Sequence, residues 1–231
     1  MKLQGATVLI TGANRGLGLA FAREALARGA SKVYAAARDP SRVTLAGVTP
    51  IRLDVTKPDE VEQAARECAD VTLVINNAGI AGFDSVTGPD AEEALTRHFE
   101  TNVLGVSRVS RAFAPVLKRN GGGALLNVLS VASWKSSPML GAYSVSKAAA
   151  WGLTNALRAD LKPQNTQVTA LHVGLIDTDL TRDIDAPKSS PETIVGRAFD
   201  ALEKGASEAL ADDVTRQVKL GLSLEPAVYL G

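Results

Sequence analysis

The sequence predicts an α/β fold: a doubly wound parallel sheet of about seven strands with helices on both faces. Three observations predict it. Short apolar, β-branched runs alternate with longer amphipathic ones along nearly all of the 231 residues. The short runs lack a polar alternate, as strands covered on both faces require. The resulting β-α-β-α order calls for parallel strands joined by crossover helices.

Thr7–Ile10 is the first strand, and Leu17–Arg28 the first helix, with Leu17, Ala20, Phe21, Ala25 and Leu26 on one apolar face. Gly29 follows where a left-handed cap is wanted. Further strands are predicted at Lys32–Ala37, Pro50–Asp54, Val71–Asn76, Ala124–Ser130, Gln167–Val173 and Glu208–Ala211. Pro58-Asp59-Glu60 starts a helix, since proline suits the first turn and acids favour the positive end of the helix dipole. One long helix is predicted over Ala91–Lys118, kinked near its end by Pro115. Another spans Tyr143–Leu161 and stops because Pro163 disfavours the α conformation at Lys162. The last strong helix covers Pro191–Lys204. No repeat or linker divides the chain, so a single domain over residues 1–231 is expected.

Composition narrows the function. Lys plus Arg and Asp plus Glu both number 25, and so balanced a charge argues against nucleic acid or an anionic membrane as partner. Cys68 is the lone cysteine, which fits a reducing cytoplasm. With only His98 and His172 beside it, no ordinary zinc site is expected. The apolar run Ala6–Ile10 is too short for a signal peptide, and no stretch approaches the roughly 18–20 apolar residues of a spanning helix. A cytoplasmic location is the expectation.

Between the first strand and first helix lies Thr11-Gly12-Ala13-Asn14-Arg15-Gly16-Leu17-Gly18. Gly12 permits a turn closed to other residues, Gly16 lets the backbone approach a pyrophosphate, and Gly18 lets helix pack on strand. The helix start then offers free N–H groups to phosphate. Strand, turn and helix together make the fold Rossmann-like.

The spacing Gly-x-x-x-Gly-x-Gly resembles the short-chain dehydrogenase/reductase family, and other signatures follow in order. Asp54-Val55 ends the third strand and Asn76-Asn77-Ala78-Gly79 the fourth. The resemblance covers about Thr7 to Thr178 and implies a nicotinamide dinucleotide held by Gly12, Asn14, Arg15, Gly16, Leu17, Gly18, Arg38, Asp54, Val55, Asn76, Ala78, Gly79, Tyr143, Lys147, Gly174, Ile176 and Thr178. NAD enzymes of this fold carry an acid after the second strand to bind the ribose hydroxyls. Here that position reads Ala37, followed by Arg38, while Arg15 sits in the glycine turn. Two guanidinium groups there suit a 2′-phosphate, so NADP(H) is expected. Asp39 is the alternative ribose acid if the register shifts, and both arginines could simply be solvated.

Tyr143 and Lys147 stand four apart, on one face of a helix. The phenol's ordinary pKa of about 10 is too high for ready proton exchange, and a neighbouring ammonium lowers it, as does an oxidised nicotinamide. The pair therefore suits general acid–base work. Ser130 lies thirteen residues before Tyr143, the spacing of the family's catalytic serine, with Ser133 as competitor. Asn102 matches the family asparagine, which the resemblance implies holds a water linking Lys147 to solvent. Asn102, Ser130, Tyr143 and Lys147 are the expected catalytic set.

After the sixth strand the family's Pro-Gly pair reads Val173-Gly174, which leaves the backbone less restrained. Thr178 is implied to bond the nicotinamide carboxamide, and His172 is expected to be a satisfied structural residue. Trp134, Met139, Leu140 and the loop Leu175–Ser190 point to an apolar or aromatic ketone or aldehyde, while Asp177, Asp179, Asp183 and Asp185 disfavour an anionic thioester. The expected activity is reversible NADPH-dependent carbonyl reduction. A catalytically idle NADPH sensor and a dedicated 3-oxoacyl thioester reductase are the alternatives. A homodimer or a monomer is expected.

Overall fold

A computed structural model describes residues 1–137 and 140–230. Seven strands form one parallel sheet: β1 (Thr7–Thr11), β2 (Lys32–Ala37), β3 (Thr49–Arg52), β4 (Leu73–Asn76), β5 (Ala124–Val128), β6 (Gln167–His172) and β7 (Glu208–Leu210). Their order is β3-β2-β1-β4-β5-β6-β7. Val8 of β1 pairs with Val33 of β2 on one side and Leu73 of β4 on the other. The direction of winding reverses between β1 and β4, and the carboxyl ends of these strands splay around a crevice.

Alternation along the strands feeds two separate cores. Val8 and Ile10 face the helices α1 (Gly16–Ala27) and α6 (Pro191–Glu203), where Phe21 and Phe199 meet edge to face with centroids 5.4 Å apart. Leu9 faces the opposite way, toward α2 (Pro58–Glu67) and α4 (Gly105–Arg119), and packs in the layer of Val61 and Phe113. Each of these buried aromatic side chains contributes on the order of 2–3 kcal/mol of transfer free energy. Buried in this second layer, the Cys68 thiol is pushed up to about 12. That leaves it a small core residue rather than a reactive thiol.

Three sequence expectations are corrected. The helix predicted over Ala91–Lys118 is two, α3 (Ala91–Phe99) and α4, joined by a π turn at Glu100–Leu104. Pro115 stays inside α4, so the interruption lies at Asn102. The helix α5 (Gly141–Leu161) does not end through Pro163: Lys162 is itself α-helical (φ −56°, ψ −43°) and begins a 3₁₀ turn. The chain turns away only at Asn165, whose φ of 58° is left-handed. A further helix, α7 (Asp213–Gly221), follows β7. Strand ends also move: β3 stops at Arg52 because Asp54 turns the chain, its Oδ1 accepting the Thr56 N–H at 2.9 Å. No helix among the described residues is long and apolar enough to cross a membrane.

Candidate active site

The glycine turn is held from the neighbouring strand. Thr11 Oγ1 accepts the N–H groups of Asn77 and Ala78, each at 3.0 Å, and donates to the Ile75 carbonyl at 3.3 Å. The Asn77 amide returns to the carbonyls of Thr11 (2.9 Å) and Gly12 (3.2 Å). Neither Thr11 nor Asn77 stands out in the sequence as a site residue. Gly12 has a φ of 68°, and a Cβ there would lie 3.1 Å from the Ala78 Cα. A Cβ on Gly18 would overlap the Gly12 carbonyl oxygen, so helix and turn are in contact.

The fit to a dinucleotide rests on this cradle. No side chain caps the N-terminus of α1, and no acid stands in its first turn. Its free N–H groups and dipole thus remain available to phosphate beside Asn14, Arg15, Gly16, Leu17 and Gly18. Leu17 is buried in the core, which leaves only its backbone for that purpose. Gly79 stands opposite, exposed, where a Cβ would be 3.1 Å from Asn102 Oδ1 and 3.8 Å from Lys147 Nζ. Val55 packs on Gly105 beside the Asp54 turn.

Asn76 goes elsewhere. Its amide donates to Asn127 Oδ1 (2.8 Å) and Ser110 Oγ (3.1 Å), and Asn127 continues to Thr154 Oγ1 (3.0 Å). The side chain is buried in this network, so its part is to bind β4, β5, α4 and α5 together.

At the far side of the crevice Ser130 follows β5, and Tyr143 and Lys147 share the first turns of α5. Ser130 caps a 3₁₀ turn by accepting the Ala132 N–H at 3.1 Å. Packing around the Tyr143 phenol pushes its pKa above 10, and a hydrogen bond from Ser130 pulls against that. Ser130 is therefore the serine beside the phenol; Ser133 Oγ is buried with no partner among the described residues. Burial pushes Lys147 down to about 8, and its ammonium donates to the Val128 carbonyl at 2.9 Å, 5.8 Å from the Tyr143 ring centroid. Burial and Ser130 are the groups that set the phenol's pKa in this structure, with burial the larger.

Asn102 sits in the π turn, where the extra residue brings its side chain toward the loop after β4. It accepts the Ile80 N–H and donates to the Ile80 carbonyl and Ser146 Oγ, all at 2.9 Å. Ser146 in turn donates to the Tyr143 carbonyl at 2.7 Å. The Asn102 side chain thereby locks α5 against Ile80.

The two arginines differ. Arg15 Nη1 reaches Asp179 Oδ2 at 3.1 Å, and Asp179 also pairs with Arg182. Arg38 is exposed after β2, while the Asp39 carboxylate accepts the backbone N–H (3.1 Å) and hydroxyl (2.7 Å) of Ser41. Beyond β6, Gly174 donates to Asp212, Ile176 is buried and bridges Ser189, and Thr178 lies 3.6 Å from where a Gly16 Cβ would stand.

Trp134 and His172 depart from expectation. Trp134 is buried and stacks on His172, centroids 3.9 Å apart and 21° between planes, with Trp151 edge-on at 6.1 Å. It is a core residue, and Met139 lies outside the described residues. His172 is not satisfied: neither ring nitrogen has a hydrogen-bond partner among the described residues. Burial pushes its pKa down to about 4, although Glu208 Oε1 lies 3.6 Å from Nε2.

Residues 6–189 match the short chain dehydrogenase family. This chain belongs to the short-chain dehydrogenase/reductase family. An oxidoreductase of Botryotinia fuckeliana is 35% identical over 87% of this chain and 78% of its own length. An NADP-dependent 3-hydroxy acid dehydrogenase of Schizosaccharomyces pombe is 33% identical over 78% of this chain and 75% of its own. A short chain dehydrogenase from Burkholderia cenocepacia, solved in complex with NADP, superposes with a TM-score of 0.94 at 36% identity, covering 98% of this chain and 96% of that one. The chain is accordingly an oxidoreductase of this family, which uses NAD(P)(H) and acts on small molecules.

The buried imidazole makes stability pH-sensitive. Between its folded value of about 4 and the usual value near 6.5, the unfolded chain binds a proton that the folded chain does not, so stability falls as pH is lowered through that window. Phenylalanine keeps the stack on Trp134 without the titration. From pH 7 to pH 5 the native protein should lose about 2 kcal/mol more than His172→Phe, read from urea midpoints. Equal losses would mean that another group carries the acid sensitivity.

Proposed function

We propose that this oxidoreductase is an NADPH-dependent reductase that converts a ketone or aldehyde to its alcohol, reversibly, with residues 1–231 forming one cofactor-binding unit. The observation that carries the reading is the meeting of Ser130, Tyr143 and Lys147 beside Gly79, on the rim of an uncapped glycine turn. NADPH, when bound, supplies hydride to the carbonyl carbon.

The protein's part is positional and electrostatic. Ser130 and Tyr143 hold the substrate oxygen by two hydroxyl hydrogen bonds, and Tyr143 gives its phenolic proton as negative charge builds there. A phenol held above its ordinary pKa stays protonated at neutral pH, which suits the proton donor of a reduction. Lys147, fixed by the Val128 carbonyl, supplies positive charge beneath the site and a donor to the nicotinamide ribose. Gly12, Asn14, Gly16, Leu17 and Gly18 hold the pyrophosphate, Asp54 and Val55 the adenine, Ala78 and Gly79 the ribose side, and Gly174, Ile176 and Thr178 the nicotinamide.

For the 2′ position, β2 ends at buried Ala37 where an NAD enzyme carries an acid. Asp39 is engaged by Ser41, which leaves Arg38 and the free donors of Arg15 for a 2′-phosphate. The NADP named for the Burkholderia and fission-yeast relatives supports the same choice. For the substrate we keep an apolar or aromatic carbonyl, on the strength of partly covered Leu140, Leu175 and Ile184; Trp134 no longer contributes. The fission-yeast relative puts 3-hydroxy acids beside these as candidates. Two copies pair through α5 and the end of α3 with the π turn, where exposed Phe99, Leu104 and Val145 line an apolar groove of about 290 Å³.

Assays of NADPH and NADH oxidation against ketones, aldehydes, 3-oxo acids and 3-oxoacyl thioesters test the activity. Turnover with no carbonyl would favour the cofactor-binding sensor. Tyr143→Phe should lower kcat by about 10²–10⁴-fold with NADPH affinity kept, and substantial remaining turnover would refute its role. Removing both arginines (Arg15→Ala with Arg38→Ala) should weaken NADPH by about tenfold or more while sparing NADH. Equal loss of both cofactors would contradict a 2′-phosphate site. Sedimentation should report the mass of two chains, and a monomer at micromolar concentration would remove the pairing.

A further inference from the structure

The loop that begins at Gly174 follows Val173, which leaves φ free where a proline would fix it. The structure supplies a restraint from a distant part of the chain. Asp212 Oδ2 accepts the Gly174 N–H at 2.6 Å, and its Oδ1 accepts the Thr215 N–H at 2.8 Å, capping α7. The carboxylate is 7% exposed, and a Cβ on Gly174 would lie 3.2 Å from Oδ2, so carboxylate and loop backbone are in direct contact.

Asp212 is itself immobilised. Its own N–H and carbonyl are both bonded to the Thr215 hydroxyl, at 3.3 and 2.9 Å. The preceding Ala211 donates its N–H to the His172 carbonyl at 3.1 Å and receives Arg197 Nη1 on its carbonyl at 2.6 Å. One carboxylate thus ties the end of β6 to the end of β7 and the start of α7. From this anchor the chain runs through Ile176, bridged to Ser189, to Thr178 above Gly16.

We propose that Asp212 is a positioning residue for the nicotinamide end of the cofactor, doing from α7 what a proline at position 173 would do locally. This rests on the reading that Gly174, Ile176 and Thr178 hold the nicotinamide. The adenine half is assigned to the glycine turn, the end of β2 and Asp54-Val55, none of which Asp212 bonds. Loss of the anchor therefore penalises only ligands that carry a nicotinamide. The charge-assisted bond to a backbone N–H is of the strong class, so its removal is readable.

Asp212→Ser separates the two duties of the residue. Serine still caps a helix, but one short hydroxyl cannot also reach Gly174. Thr215→Val does the converse, cutting the capping box while leaving the carboxylate on Gly174. Affinities are measured by calorimetry for NADPH against 2′-phospho-ADP-ribose and for NADH against ADP-ribose, pairs that differ only in the nicotinamide. Asp212→Ser should weaken the nicotinamide-bearing member about tenfold and leave the other within twofold, with kcat lowered at least as much. Thr215→Val should lower Tm and leave all four affinities unchanged. Asp212→Asn, which has a single acceptor oxygen, should repeat the serine result should that variant fail to fold.

Equal weakening of both members of a pair, no weakening of either, or the same split in Thr215→Val would overturn the inference. Thr178→Ala separates it from the reading beneath. A split in Thr178→Ala with none in Asp212→Ser refutes Asp212 alone. No effect of Thr178→Ala on the nicotinamide-bearing ligands removes the loop's assignment itself, and the inference with it.

Discussion

One hydroxyl, that of Thr11, holds the carboxyl ends of the two central strands together. It accepts two successive N–H groups after β4 while the Asn77 amide returns to the carbonyls of the glycine turn. The winding reverses between these strands, and this tie spans the crevice floor beyond their last paired residues, Ile10 and Ile75. With it, the turn cannot drift from Gly79, and the free N–H groups of α1 face a surface of fixed shape. Each of these part-buried backbone hydrogen bonds contributes about 0.5–1.5 kcal/mol. The phosphate end of the site is therefore rigid because its own backbone requires those partners.

The same logic extends to the proposed chemistry. Asn102 joins Ile80 to Ser146, and Ser146 bonds the Tyr143 carbonyl, so the loop after β4 and the first turns of α5 move as one piece. Asn76, Asn127 and Thr154 continue this coupling deeper, between β4, β5 and α5. Lys147 is held by a β5 carbonyl, and Ser130 follows the same strand. The ammonium and the serine hydroxyl are consequently both held by main-chain contacts. Preorganised dipoles of this kind act on developing charge without reorganising during the reaction.

What the sequence revealed follows from how local each signal is. Short runs between glycine and proline boundaries marked all seven strands; burial on both faces leaves β1 and β4 no exposed position, while the edge strands β3 and β7 are partly exposed. Gly12, Gly16 and Gly18 announced the turn: Gly12 and Gly16 take a left-handed φ, and Gly12 and Gly18 sit where a Cβ would crowd neighbouring backbone. Tyr143 and Lys147 were legible through helical spacing, and Ser130 and Asn102 only through resemblance to a family. The π turn was hidden, because Glu100–Leu104 is composed like any helix and the extra residue answers a tertiary demand from Ile80. The helix α7 had a signal, an aspartate three residues before Thr215, but its weak apolar pattern concealed it. Trp134 followed Ser130 in the chain and was assigned to the substrate on that ground. Its ring instead fills space beside His172, a partner about forty residues away that spacing could not reveal. Asn76 misled similarly: it belongs to a motif whose backbone borders the crevice, while its side chain turns inward.

The most direct measurement uses NADPH deuterated at the transferable nicotinamide position, mixed with the best carbonyl substrate of the panel. Carbonyl reduction within this crevice requires one deuterium per turnover on the carbinol carbon of the product, and the oxygen-bound proton drawn from solvent through Tyr143. Deuterium on that carbon is the expected result. Product alcohol without deuterium, or cofactor oxidation with no alcohol formed, would contradict the account.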